Sequence, residues 1–84
     1  MHKYEVYVHS DLLENTMPKS GVQRRQILDF FWSLQNRPDQ VGDFIEKDKA
    51  LRERQVKIIG QFAITYWVDS PVRKVMIVDV RPAD

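Results

Sequence analysis

The stretch Arg54-Gln55-Val56-Lys57-Ile58-Ile59-Gly60-Gln61-Phe62-Ala63-Ile64-Thr65-Tyr66-Trp67-Val68, followed by Asp69-Ser70-Pro71 and the run from Val72 to Val80, decides the fold. Apolar, aromatic and β-branched residues fill it in three blocks. Gly60-Gln61 and Asp69-Ser70-Pro71 part the blocks as turn signals. In the second block Phe62, Ile64, Tyr66 and Val68 share one face of a period-two chain, and Ala63, Thr65 and Trp67 share the other. Residues 75–78 are apolar on both faces, as in a central strand covered on both sides. The reading is three strands, at 54–59, 62–68 and 72–80, joined as an antiparallel meander.

Upstream the period changes. Tyr4, Val6 and Val8 alternate with Glu5, Tyr7 and His9, which predicts a strand over residues 3–9. Ser10 with Asp11 reads as a helix N-cap, opening a short helix to about Asn15 that Pro18 ends. Ser20 with Gln23 three residues on reads as a capping box. After it Ile27, Phe30, Phe31 and Leu34 stand at i, i+3, i+4 and i+7, the stripe of a long helix that stops near Asn36 before Arg37-Pro38. Residues 43–55 read as helix on propensity, with Phe44 and Leu51 seven apart. The class is α+β: an N-terminal strand, two helices (short then long), then an antiparallel sheet of three to four strands, with the long helix on one sheet face.

Eighty-four residues without a break rich in Gly, Ser or Pro make one domain, 1–84. The chain has no Cys, so disulfides, thiolate metal sites and thiol nucleophiles are excluded. No apolar run approaches the length of a membrane span, and Met1-His2-Lys3-Tyr4-Glu5 has no signal-peptide pattern, so the expected location is the cytoplasm. His2 and His9 are the only histidines, both near the N-terminal strand, which leaves no metal pair; neither a metal nor a cofactor is expected. His9 beside Ser10 has the composition of a base and a hydroxyl, but the cap accounts for Ser10. Gly21, Gly42 and Gly60 stand alone as turn residues, not as a phosphate loop.

The formal charge is only +1. Placement matters more than the sum: from Lys47 to Lys57 there are five basic residues against two acidic ones. If 43–59 folds as a hairpin, Arg52, Arg54 and Lys57 project from a strand pair beside Arg81. Cations on a sheet face suit RNA phosphates and the charge that develops when a phosphodiester is cut. Tyr66 and Trp67 on the next strand are either stacking platforms for bases or core residues.

The element order, together with Val56 to Asp69 and Val75-Met76-Ile77-Val78-Asp79-Val80-Arg81, resembles the RelE/ParE superfamily of bacterial type II toxin-antitoxin systems over nearly the whole chain. The resemblance implies that residues 43–59 form a hairpin turning at Lys47 to Leu51. It implies a toxin held in check by a wrapping antitoxin, and for RelE-like members a ribosome-dependent ribonuclease that cuts messenger RNA in the decoding site. By position, Lys57 and Arg81 take the catalytic cation roles, with Arg52, Arg54, Lys57, Arg81 and Tyr66 contacting RNA. The family's middle-strand Arg is Ala63 here, and Pro82-Ala83-Asp84 stands where a Tyr or His is expected. The resemblance therefore carries a second expectation: a non-catalytic ParE-like toxin acting by contact with DNA gyrase, or a member that only binds its antitoxin. Leu12, Leu13, Val22 and Trp32 exceed what a single layer buries, which calls for a partner segment or a homodimer.

Overall fold

The computed structural model describes residues 3–83. Five strands form one mixed sheet: β1 (Glu5–Val8), β2 (Phe44–Lys47), β3 (Glu53–Ile59), β4 (Phe62–Asp69) and β5 (Lys74–Pro82), in the spatial order β1-β5-β4-β3-β2. The three-stranded meander stands as its composition predicts. The sheet is wider than the three to four antiparallel strands expected, because the N-terminal strand joins it. β1 lies parallel to β5, with Val6 opposite Val75 and Val8 opposite Ile77.

One helix, α1 (Gly21–Asn36), covers one face. Its stripe of Ile27, Phe30, Phe31 and Leu34 is buried as predicted, against Ile64, Tyr66, Val75, Ile77 and Val80. Because the other face carries no helix, Met76 and Val78 are only half-buried, and the expectation of a β5 covered on both sides fails. β4 takes that place: Ala63, Ile64, Thr65 and Tyr66 are all buried in the middle of the sheet. A register shift between Thr65 and Tyr66 lets β5 set Asp79 opposite Thr65 and Ile77 opposite Tyr66, with Val78 unpaired between them.

Both predicted caps take other forms. The short helix closes as a single π-type turn over Leu12–Thr16, with the Met17 N–H donating to the Leu12 carbonyl at 3.0 Å. Ser10 does not cap it; the His9 ring does related work, its Nδ1 accepting from the Asp11 N–H at 3.1 Å. Ser20 precedes α1 without a side-chain cap. Gln23 reaches away from the helix end, its Oε1 accepting from the Gln61 N–H at 3.1 Å, which ties α1 to the β3–β4 turn. Gly60 holds that turn with φ +58°, in the left-handed region.

Residues 43–59 form a hairpin, not the helix of their propensity. Asp48 organises its turn: one carboxylate oxygen accepts from the backbone N–H groups of Ala50 and Arg52, each at 2.9 Å, and the other from Arg52 Nε at 3.0 Å and an Arg54 guanidinium nitrogen at 3.2 Å. Leu51 adopts φ +64° to close it. Local hydrogen bonds from a well-placed Asp outweigh the few tenths of a kcal/mol per residue by which propensity favours helix. Before β2 the chain runs directly on β3: Gly42 N–H donates to Gln55 Oε1 at 2.8 Å and Asp43 N–H to the Val56 carbonyl at 2.7 Å.

Candidate functional site

Residues directly opposite in a ladder share a sheet face. Ala63 and Arg81 are paired, Thr65 is opposite both Val56 and Asp79, and Glu46 is opposite Arg54. These side chains occupy the face without a helix. Lys57 is opposite Ile64, and Ile64 is opposite Val80, so Lys57 belongs to the helix-covered face. The sheet thus stands between Lys57 and Arg81, and the expected pair of catalytic cations is not brought together.

Arg81 is the centre of the helix-free face. One guanidinium nitrogen donates to Thr65 Oγ1 at 2.8 Å and to Asp79 Oδ2 at 3.1 Å; the other donates to Glu46 Oε1 at 3.0 Å. The network links β5, β4 and β2, and leaves more carboxylate than guanidinium at its centre. Arg54 lies on the same face, held to Asp48. Arg52 sits in the turn, also on Asp48, whose carboxyl is held below the usual range chiefly by the Arg52 backbone N–H. Lys57 faces Asp43 at 4.0 Å. Each of the four predicted cations therefore meets a carboxylate of its own chain, and an approaching phosphate must displace one to be bound.

Tyr66 is fully buried among the core residues, edge-on to Phe30 with ring centroids 5.4 Å apart, and its hydroxyl donates to the Gln40 carbonyl at 2.9 Å. Burial, with the Asp43 carboxylate nearby, pushes its phenol up to about 12. A base cannot stack on a ring with no exposed face, so the RNA contact expected of Tyr66 does not fit its place in the core. Trp67, next along β4, lies half-exposed on the helix-free face beside Arg54. His2 lies outside the described residues; among the described residues no group of acids and His forms a metal cage.

Sequence reasoning missed Glu46, Asp79 and Thr65. Asp79 was within reach, since it is two residues before Arg81 on the same strand and so on the same face. Glu46 was not, because only the hairpin register brings β2 to this face.

A second feature lies on the opposite side of the molecule. Val6 and Val8 of β1, Leu13, and Leu28, Phe31, Trp32 and Gln35 line an apolar groove of about 210 Å³. Trp32 is 62% exposed and Val22, the second residue of α1, 72%. The groove lies along β1, which among the described residues has only β5 as neighbour and leaves its outer edge unpaired. Toward the start of α1 it runs into a hollow lined by Arg24, Arg25 and Asp29, with Leu28 and Trp32 common to both. Among the described residues no helix is long and apolar enough to cross a membrane. No family model, no characterised protein and no solved structure matches the chain.

Proposed function

We infer that this chain is a toxin component of a bacterial type II toxin-antitoxin system with a RelE/ParE-like fold, working in the cytoplasm by contact with a protein and not by cutting messenger RNA. The observation that carries the choice between contact and cleavage is the separation of Lys57 from Arg81 by the sheet, with Arg81 committed to Thr65, Asp79 and Glu46. In-line phosphodiester cleavage needs cations free to meet the developing charge and a group to move the 2′-hydroxyl proton. Here the cations are neutralised in place and Tyr66 is enclosed.

A binding role has support of its own. The groove beside β1 offers an apolar floor, an exposed Trp32 and an unpaired strand edge, a combination suited to a peptide segment laid along it. In this reading a segment of the antitoxin occupies the groove, and the toxic contact is of the ParE kind, with DNA gyrase as target. A ribosome-dependent ribonuclease is the competing reading; Arg81 at the end of β5 is the residue that favours it.

The test is growth of bacteria expressing the chain without its antitoxin. Wild type and the double variant Lys57→Ala with Arg81→Ala are expected to inhibit growth alike, with folding of the variant checked by circular dichroism. Loss of inhibition in a folded double variant would establish the ribonuclease reading instead.

A further inference from the structure

β2 is the last strand of the sheet and among the described residues pairs with β3 alone, so its outer edge is open. Four of the large apolar side chains left exposed lie on this strand or beside it: Val41, Phe44, Ile45 and Leu51. The turn settles which backbone groups point outward. Asp48 N–H donates to the Arg52 carbonyl at 3.0 Å, making these two a hydrogen-bonded pair. By alternation, Glu46 with Arg54 and Phe44 with Val56 are the hydrogen-bonded pairs of the ladder. Ile45 and Lys47 therefore direct their N–H and C=O groups away from β3, toward the open edge.

We propose that this edge pairs with β2 of a second copy of the chain, antiparallel about a two-fold axis at Ile45, joining two five-stranded sheets into one. Only registers that set outward-pointing residues opposite each other make regular backbone pairs, and because Asp43 gives its N–H to the Val56 carbonyl of β3, this leaves axes at Ile45 or Glu46. An axis at Glu46 opposes two carboxylates. An axis at Phe44 sets Ile45 against Asp43, whose N–H is already used by β3, and leaves Lys47 without an acid. An axis at Ile45 pairs the backbone of Ile45 with its own copy and brings the Lys47 side chain opposite the Asp43 carboxylate of the second copy, twice by symmetry, although the Asp43 N–H itself stays on the Val56 carbonyl. It also sets Phe44 opposite Glu46, beside the Glu46–Arg81 ion pair. Lys47 has no ion-pair partner within its own chain among the described residues, and Asp43 is fitted to accept one: Oδ2 holds the Ile58 N–H at 2.7 Å, while Oδ1 has only Lys57 at 4.0 Å. Edge charges commonly repel stray strands; here the same charges admit one register of one partner. The pairing is independent of the toxin reading. Its short strand sets a weak dimer, with a dissociation constant on the order of 0.1 mM.

Sedimentation equilibrium from about 10 μM to about 1 mM, with amide shifts followed over the same range, tests it. The expected result is a monomer–dimer equilibrium in which the Ile45 and Lys47 amides move with concentration and the Trp32 indole does not. Lys47→Glu, a surface change that sets Glu against Asp43, should weaken association about tenfold without altering the fold. Ile45→Pro, which removes the outward N–H at a position where edge strands accept Pro, should weaken it at least as much. A monomer at every concentration, association that Lys47→Glu leaves unchanged, or shifts centred on Trp32 and Leu28 would each overturn the proposal.

Discussion

Arg81 shows how a residue's type is legible in a sequence while its availability is not. A guanidinium at the end of a strand is the right group for a phosphate, yet its donors here are used by Thr65, Asp79 and Glu46. Tyr66 is the reverse case, an aromatic with a polar tip whose tip is satisfied inside the core by the Gln40 carbonyl. Tyr66→Phe keeps the ring against Phe30 and loses that bond, which should lower stability by about 1 kcal/mol at neutral pH, measured by urea denaturation. The phenol titrates near 10 when unfolded and is pushed up to about 12 when folded, so the neutral form is favoured by folding. Its contribution is complete below pH 10 and is lost as pH rises from there through 12. The stability difference between wild type and Tyr66→Phe should therefore shrink and then reverse across that window; a constant difference counts against the buried phenol. Gly42 gives a prediction of another kind. A Cβ there would lie 2.7 Å from the Val56 carbonyl carbon, part of a backbone that cannot swing aside. Gly42→Ala should lower stability by about 1–3 kcal/mol, with the loss seen as faster hydrogen exchange in β3.

Between elements, the side chains that join one piece to the next were the least legible. The stripe of α1 and the three blocks of the meander follow from period and punctuation, and the structure keeps them. Capping was read from spacing alone, and spacing does not say where a side chain finds its best partner. Gln23 bonds the β3–β4 turn, so Gln23→Ala should lower stability by about 1 kcal/mol, whereas Ser20→Ala should change it by less than about 0.5 kcal/mol, both read from thermal melts. The opposite order would restore the capping box. The hairpin of β2 and β3 was hidden for a physical reason: Lys47 to Glu53 is rich in helix formers, and the competing signal is one Asp whose four hydrogen bonds exist only once the turn has closed. Folding lowers the Asp48 pKa, so its stabilisation is present above its ordinary value near 3.8 and is lost as pH falls below it. Asp48→Asn should remove part of that acid sensitivity. Leu51→Gly should be neutral to stabilising, by about 1 kcal/mol at most, because glycine takes the positive φ without strain.

At the scale of the molecule, the α+β class was legible and the width of the sheet was not. Nothing local in Tyr4 to Val8 says that the strand crosses over to lie parallel to β5, since parallel pairing is a long-range event with no turn signature. That crossover also creates the open edge beside the groove of Trp32, so the feature most suited to a partner arises from the part of the topology hardest to read. The candidate cations were legible as residue types and their sidedness was not: the ladder register decides that the sheet divides Lys57 from Arg54 and Arg81. On the proposed function this arrangement binds and does not cut. The most direct test is a cell-free translation reaction with the purified chain, in which messenger 5′ ends are mapped by primer extension. No new ends are expected, whether or not ribosomes are translating. New ends that appear only on translated messenger, and vanish with Arg81→Ala, would contradict that function.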